Sequence, residues 1–339
     1  MKNPPCNVAR ASAGSLKRCL RSSDNLHSGN EIGLSRRVEE ILVNSGTVSL
    51  LTRMIANVCF SALLFFCFVP TTAAQELSKL PYVPTPQIVV DEMLKLAGVT
   101  AKDFVIDLGS GDGRMIITAA RKFNAGGLGV DIDAKLVALS NKQAKTDGVA
   151  DRAKFVEQDM FKADIGNATV VTLYVLPDFM ERLRPKLWTE LKPGSRVVAH
   201  DYYMSGWHAD KRLDLTVPEK VTANGTDKAY LYLWIVPSKV AGGWRMDFDV
   251  DGNAQQKIVL AINQQYQVIN ASAENALGPM RLEKPLLRGN EISFDLTVGN
   301  TAYQFTGKIS DGKMAGSAVS PTSAKPVAWR ASKVPGEPK

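Results

Sequence analysis

An α/β domain with a mostly parallel sheet, followed by a small all-β domain, is the fold that the sequence predicts, and three observations carry that prediction. Between Leu80 and Pro237, short apolar runs alternate with segments of helical period, as strands joined by crossover helices do. From residue 244 to 331, strand-like segments recur about every ten residues between turn signals, the pattern of a small antiparallel barrel or sandwich. With 339 residues, 45% hydrophobic and 22% charged, the chain is long and apolar enough for two cores, which excludes collagen-like and wholly disordered classes.

The N-terminal part has a different character. Met54 to Val69 is a run of sixteen uncharged residues, preceded by Arg53 and followed by Pro70 and the small-residue stretch TTAAQ. A basic start, an apolar middle and a small-residue exit predict a secretory signal over residues 54–74, cleaved after Ala73 or Ala74. The alternative is a short membrane anchor, although a full span needs about 20 apolar residues. In either case the basic side precedes the run, so the remainder is expected on the outer face, periplasmic or anchored in the inner membrane facing outward. Residues 1–53 are read as a poorly ordered leader or a mis-assigned start, with translation beginning near Val48 or Met54. An organellar, mitochondrial presequence is the other option, because residues 1–23 contain Arg and Ser and no acid.

Charge and cysteine follow the same division. Of 41 Lys/Arg and 34 Asp/Glu, residues 1–74 hold eight and four, leaving 33 and 30 for the remaining 265 positions. The formal charge of +7 therefore belongs mostly to the N-terminal part and does not point to nucleic acid. Cys6, Cys19, Cys59 and Cys67 are the only cysteines. Disulfides, Cys-ligated zinc and thiol nucleophiles are thus excluded beyond residue 67, and three histidines make a histidine-rich metal site unexpected, so no metal is predicted.

Within residues 80–237, FVIDLGSGDGR (104–114) reads as a strand, a glycine-rich turn and a helix start. Glycine at 109, 111 and 113 permits positive φ and lets a ligand approach the backbone, while the helix start presents free N–H groups. The dinucleotide fingerprint counted from Gly109 demands a small residue at 114, which is Arg114, and no GK[ST] follows for a P-loop. The spacing is instead G-x-G-x-G with Asp107 two residues ahead, where a carboxylate suits the ammonium of an amino-acid-bearing cofactor. Ser110 and Asp112 fill the loop. A second strand, GLGVDID (127–133), ends at Asp131, eighteen residues past Gly113 and placed for both ribose hydroxyls, with Ile132 beside it. Asp133 reads as the cap of a helix over 134–144. KFVEQDMF (154–161) gives a third strand leading to Asp159 and Met160, with Asp159 placed to accept from an adenine amino group. TVVTLYVLP, LKPGSRVVAHDYY and a hairpin pair ending in AYLYLWIVP complete the sheet.

After the linker at 238–243, RMDFDV, KIVLAI, YQVINA, ISFDLTV, AYQFTGKI and KMAGSAV read as strands, with turns at Asp251-Gly252-Asn253, Arg288-Gly289-Asn290, Gly299-Asn300 and Asp311-Gly312. Ile292, Phe294, Leu296 and Val298 alternate as one buried face. No cluster of acids, histidines or glycines suggests chemistry there, and residues 332–339 read as a tail.

Residues 80–237 resemble class I S-adenosylmethionine-dependent methyltransferases, whose Rossmann-like sheet has seven strands. More narrowly they resemble the protein-lysine methyltransferases acting on the c subunit of ATP synthase, relatives of the Dot1-like enzymes. PYVPTP (81–86), VIDLGSGDGRMIITAA (105–120) and VLPDFMERL (175–183) carry the likeness, and HDYYMSGWH (200–208) does so more loosely. The resemblance implies S-adenosyl-L-methionine as cofactor, held by Asp107, Gly109, Gly111 and Gly113 on the methionine side, by Asp131 at the ribose and by Asp159 with Met160 around the adenine. The chain departs from the family at Asp178, where an uncharged polar residue is usual, and in its C-terminal β domain.

Methyl transfer from a sulfonium needs positioning and exclusion of water more than a dedicated acid or base. A dry, aromatic pocket would favour the neutral amine of an acceptor lysine. Ligands of such sheets bind beyond the strand ends, which nominates Leu176 and Pro177 after the fourth strand and Asp201, Tyr202, Tyr203 and Trp207 after the fifth. Tyr82 and Thr85 would close over the site as a lid, Thr85 also reading as an N-cap ahead of Pro86. Three readings stay open: a protein-lysine methyltransferase whose acceptor protein is membrane-associated or not, a methyltransferase for a small or lipid-soluble acceptor, and a non-catalytic envelope protein that keeps the fold.

Overall fold

The computed structural model describes residues 82–250, 254–321 and 323–334. The leader at 1–53, the apolar segment at 54–74, Pro81 of PYVPTP, the turn at 251–253 and the end of the tail lie outside the described residues. Among the described residues, no helix is long and apolar enough to cross a membrane.

The first domain opens with α1 (Gln87–Leu96), whose Val89, Val90, Met93 and Leu94 repeat at helical spacing and are buried. Then β1 (Phe104–Leu108), α2 (Arg114–Phe123), β2 (Gly126–Asp131), α3 (Ala134–Thr146), β3 (Ala153–Glu157) and β4 (Val170–Leu173) alternate. They are followed by α4 (Pro177–Glu190), β5 (Arg196–His200), β6 (Lys211–Thr216), α5 (Lys220–Asn224) and β7 (Lys228–Ile235). The strands form one seven-stranded sheet ordered β3-β2-β1-β4-β5-β7-β6. Neighbours from β3 to β5 are parallel, and β7 runs antiparallel to β5 and β6. Strand alternation sends Val105, Val170 and Val198 to the core beneath α1, α2 and α3, while Ile106, Leu108, Val171 and Val197 meet Met180, Leu183 and Leu187 of α4 on the other face. The order reverses between β1 and β4, and such a switch point opens a crevice at the carboxyl ends of the strands.

The second domain is a barrel, which decides between the two β architectures the sequence allows. It comprises β8 (Gly242–Val250), β9 (Ala254–Gln265), β10 (Val268–Asn275), β11 (Gly278–Met280), β12 (Leu282–Arg288), β13 (Glu291–Val298), β14 (Thr301–Ser310), β15 (Lys313–Ser320) and β16 (Ser323–Lys333). All pairings are antiparallel in the order β11-β10-β9-β8-β16-β15-β14-β13-β12, and β10 approaches β12 to bring the ends together. Trp244, Met246 and Phe248 alternate inward on β8 and Ile292, Phe294 and Leu296 on β13, whereas Val298 at the strand end is only half-buried. Phe294 stacks on Phe305 at 5.0 Å and Trp329 meets both edge-on, so side chains fill the interior as expected for a barrel of about eight strands. Three differences from the sequence reading have physical causes. Strand β12 contains Pro285, which a strand accommodates at a bulge, and its register shifts between Glu283 and Leu286. Strand β16, not anticipated as a strand because Pro326 interrupts it, joins β8 to β15. Tyr266, expected inside a strand, sits in the β9–β10 turn with φ 53°.

Candidate active site

The glycine loop joins β1 to α2 and folds back on the end of β2. Gly109 and Ser110 donate backbone N–H bonds of 2.8 and 3.0 Å to the Val130 carbonyl, and Gly113 donates to the Ser110 carbonyl at 2.9 Å. Gly111 donates to Oδ2 of Asp131 at 2.7 Å. The φ angles of Gly109, Gly111 and Gly113 are 85°, 54° and 81°, a left-handed region in which a side chain is strained. At Gly111 a Cβ would also lie 2.4 Å from Cε2 of Tyr82, so the tyrosine ring rests directly on the loop. Gly113 does not line the cavity; a Cβ there would strike Phe155 and Ser140 at 2.7 Å, and its task is to let α2 pack on β3 and α3. Gly129, which the sequence reading passes over, does comparable work: a Cβ would come within 2.3 Å of Phe155 and 2.7 Å of Oγ of Ser110.

Register then places the acids. Asp107 lies beside Gly129 on β2 and Thr172 on β4, and Thr172 Oγ1 donates to its Oδ1 at 2.7 Å. Burial pushes the Asp107 carboxyl up to about 7; the threonine bond opposes the rise, and the charges of Asp131 and Asp112 add to it. Oδ1 of Asp131 accepts from the Asp133 backbone N–H at 3.0 Å, and Asp133 caps α3 by accepting from Lys135 and Leu136. Asp112 pairs with Arg114 through Nε–Oδ1 and Nη2–Oδ2 bonds of 2.9 and 2.5 Å, and Arg114 Nη1 reaches the Thr85 carbonyl at 2.7 Å. Burial alone would raise the Asp112 carboxyl, but the guanidinium holds it below the usual carboxylate range. Tyr82 is 45% exposed, and burial of its hydroxyl together with the Asp112 charge pushes it to about 12. Arg114, which excludes the dinucleotide fingerprint, thus ties the segment before α1 to the glycine loop. Thr85 makes no cap: the capping position belongs to Pro86, with ψ 145° and no side-chain bond.

A cavity of about 290 Å³ opens at the switch point. Asp107, Gly109, Ser110, Gly111, Asp112, Asp131 and Ile132 line it from the β1 and β2 side, and Tyr82 and Thr85 from the segment before α1. Met160, Leu176 and Tyr202 line it elsewhere. Two aromatics that the sequence reading misses, Tyr174 and Phe179, join them. Tyr174 stacks on His200 at 4.1 Å and on Tyr202 at 6.1 Å. Its only sequence signal is an aromatic placed one residue after a buried strand.

Five other predicted residues lie outside the lining. Asp159 accepts from the Phe161 N–H at 2.9 Å in a local turn, the bond its short side chain reaches most readily. Pro177 starts α4, where a missing N–H costs nothing. Asp201, with φ 62°, is held by Lys220 Nζ at 2.6 Å and by the Tyr230 N–H at 3.1 Å. That lysine is 1% exposed; it also donates to the Lys228 carbonyl at 2.6 Å and lies 3.4 Å from Nε2 of His200. Burial keeps the His200 imidazole well below its ordinary range, with Lys220 adding to the effect and Asp201 opposing it, so His200 is neutral. Tyr203 packs on Tyr232 and Trp234. Trp207 is fully buried against Trp234 and Tyr266, where its apolar ring is worth more than at a wet rim.

The residues present suit S-adenosylmethionine. Oγ of Ser110 is buried on the cavity wall without a hydrogen-bond partner among the described residues, and buried polar atoms in that state call for a ligand. Carboxylates suited to an ammonium and to ribose hydroxyls lie on the same wall. Fold, switch-point cavity and loop together define a class I methyltransferase. A family model described as the ANTKMT methyltransferase domain matches residues 107–211, from the end of β1 to the start of β6. A protein-lysine N-methyltransferase of Saccharolobus islandicus is 47% identical over 130 residues, 38% of this chain and 81% of its own length. The Homo sapiens lysine N-methyltransferase of the ATP synthase c subunit is 31% identical over 154 residues, covering 45% of this chain and 61% of that protein. Among solved structures, an RNA methyltransferase from Salinibacter ruber in complex with S-adenosyl-L-homocysteine shares 46% identity over 47% of this chain and 96% of its own, with a TM-score of 0.42. The chain belongs to the protein-lysine N-methyltransferase family and is an S-adenosylmethionine-dependent methyltransferase.

Proposed function

We propose that the protein methylates a lysine side chain of an acceptor protein. The observation that carries this reading is that Tyr174, Tyr202 and Phe179 line the same cavity as the acids and glycines of β1, β2 and their loop. On the acidic wall, Asp107 and Ser110 would hold the amino-acid portion of the cofactor, Asp131 the ribose hydroxyls, and Ile132 and Met160 the faces of the base. When bound, the cofactor supplies an electrophilic methyl group on a sulfonium, released as a neutral thioether on attack. Loss of hydration on entering the cavity disfavours the acceptor ammonium, so the amine sheds its proton to water before its lone pair forms the new N–C bond. The methylated nitrogen regains a positive charge, which the ring faces tolerate. Tyr82, resting on Gly111, narrows the entrance and keeps water from the reacting atoms.

The test uses the full chain. Calorimetry with S-adenosylhomocysteine should show binding that Asp131→Ala weakens at least about 30-fold, the value of two or three lost bonds. Incubation with methyl-labelled cofactor and a membrane extract should then deposit label recovered as methyl-lysine after acid hydrolysis. Label in lipid or small molecules alone would overturn the lysine reading.

A further inference from the structure

The barrel lies beyond the family match, which ends at residue 211, yet it touches the segment that carries Tyr202 into the cavity. Residues 201–210 leave the end of β5, cross the face of the sheet and enter β6. Along the way Ser205 N–H donates to Oε1 of Glu181 on α4 at 2.6 Å, and the Trp207 carbonyl accepts from Trp234 Nε1 at 2.8 Å. The Trp207 ring itself is fully buried, and what it stacks on is Tyr266 of the barrel, at 4.8 Å and 6° between planes. Trp188 of α4 meets Tyr266 edge-on at 5.1 Å. The next barrel residue, Gln267, donates from Nε2 to the His208 carbonyl.

The turn that presents Tyr266 is built for the purpose. A tyrosine at φ 53° is uncommon and costs energy. Gln264 secures it by donating to the Tyr266 and Ser238 carbonyls at 2.7 and 2.8 Å while accepting from the Val240 N–H at 2.7 Å. Attachment of the barrel does not require this contact. A separate seam joins Ser238 N–H to the Gly289 carbonyl at 2.7 Å, with Gly289 packed on Gly194 and Ile235.

We propose that the barrel is a positioning element of the active site: through Tyr266 it clamps Trp207 and so holds the 201–209 segment, with Tyr202 at its head, in the conformation that completes the aromatic wall. The assignment of Tyr202 to the acceptor side rests on the lysine-methyltransferase reading; the clamp itself does not. Tyr266 is thus a positioning residue and touches neither acceptor nor cofactor.

Hydrogen exchange on the full chain tests the clamp without reference to any acceptor. In Tyr266→Ala, amides between Tyr202 and Trp207 should exchange roughly tenfold faster while the barrel and the glycine loop keep their protection. Tyr266→Phe, which preserves the stack, should restore the wild-type rates, and Gln267→Ala should give a smaller acceleration over the same amides. Binding of S-adenosylhomocysteine should stay within about twofold of wild type, whereas label transfer to lysine in a membrane extract should fall roughly tenfold in Tyr266→Ala and recover in Tyr266→Phe. Unchanged exchange over 202–207, or acceleration spread evenly over the barrel, would overturn the proposal. Absence of transfer by the wild type would sink the lysine reading alone, and the exchange pattern would still decide the clamp.

Discussion

The two walls of the cavity are held in place by different means. The wall built by β1 and β2 is a local structure: its loop, acids and cap all come from residues 104–133, and backbone hydrogen bonds shape it. The wall built by β4 and β5 is assembled at a distance. Tyr174 rests on His200, His200 lies beside Lys220 from α5, and Lys220 holds Asp201 while bonding to the Lys228 carbonyl. The first wall should therefore be vulnerable where a side chain is added, the second where one is taken away.

Lys220→Met is expected to give the largest effect. It keeps the apolar stem but removes the cation that faces Asp201, leaving a partly buried carboxylate without its countercharge, a change that costs about 3 kcal/mol or more. Urea unfolding should register that loss, while affinity of the folded protein for S-adenosylhomocysteine changes little, because the opposite wall is untouched. A shift of the unfolding midpoint worth less than about 1 kcal/mol would show that the distant assembly is not what holds the second wall. The double variant Lys220→Met with Asp201→Asn should recover part of the stability, since the orphaned charge is gone.

Gly129→Ala probes the other wall by addition. Its methyl group would meet Phe155 and the Ser110 hydroxyl at distances that real Cβ atoms do not show, and such overpacking costs about 1–3 kcal/mol. Here stability and cofactor binding should fall together, because the added methyl presses on Ser110, a cavity-lining residue, as well as on Phe155. If affinity for S-adenosylhomocysteine stays at the wild-type level, the close fit of β2, β3 and the loop has no bearing on the site.

The same contrast explains what can be read from the chain. Asp107, the three glycines and Asp131 are legible because the strand, turn and next strand that place them are contiguous and their spacing is dictated by local geometry. Asp133 is legible as a cap for the same reason. Even there, the sequence does not separate Gly111, which yields to a tyrosine ring from residue 82, from Gly113, which yields to Phe155 and Ser140. Tyr174 and Lys220 give no local sign, since one is an aromatic after a strand and the other a lysine in a short helix until the fold sets both beside His200. Position after β5 points Trp207 and Tyr203 toward the acceptor, and the hydrophobic demands of α4, β7 and the barrel take them elsewhere. In the second domain, alternation reveals the strands that obey it, while β12 hides behind Pro285 and β16 behind Pro326.

The smallest effect sharpens the comparison from the acidic side. Asp107 is raised to about 7 chiefly by burial, so in the free protein it carries a proton over most of the range below that value. A cofactor ammonium favours the ionised form, so binding must expel that proton below pH 7 and need not do so above it. Affinity for S-adenosylhomocysteine should then climb about tenfold, or 1.4 kcal/mol, between pH 5 and 6, and level off above 7. Stability moves the other way: the folded chain binds the proton more tightly than the unfolded one, so the Asp107 contribution falls as pH rises from about 4 toward 7. Asp107→Asn should flatten both slopes, raising stability at pH 8 relative to wild type while weakening binding there. Thr172→Val removes the bond that opposes the rise, and should displace the binding curve to higher pH without abolishing it. A wild-type affinity that is flat from pH 5 to 7 would mean that Asp107 does not face the ammonium, and the polar end of the cavity would have to be assigned to Asp112 and Asp131 instead.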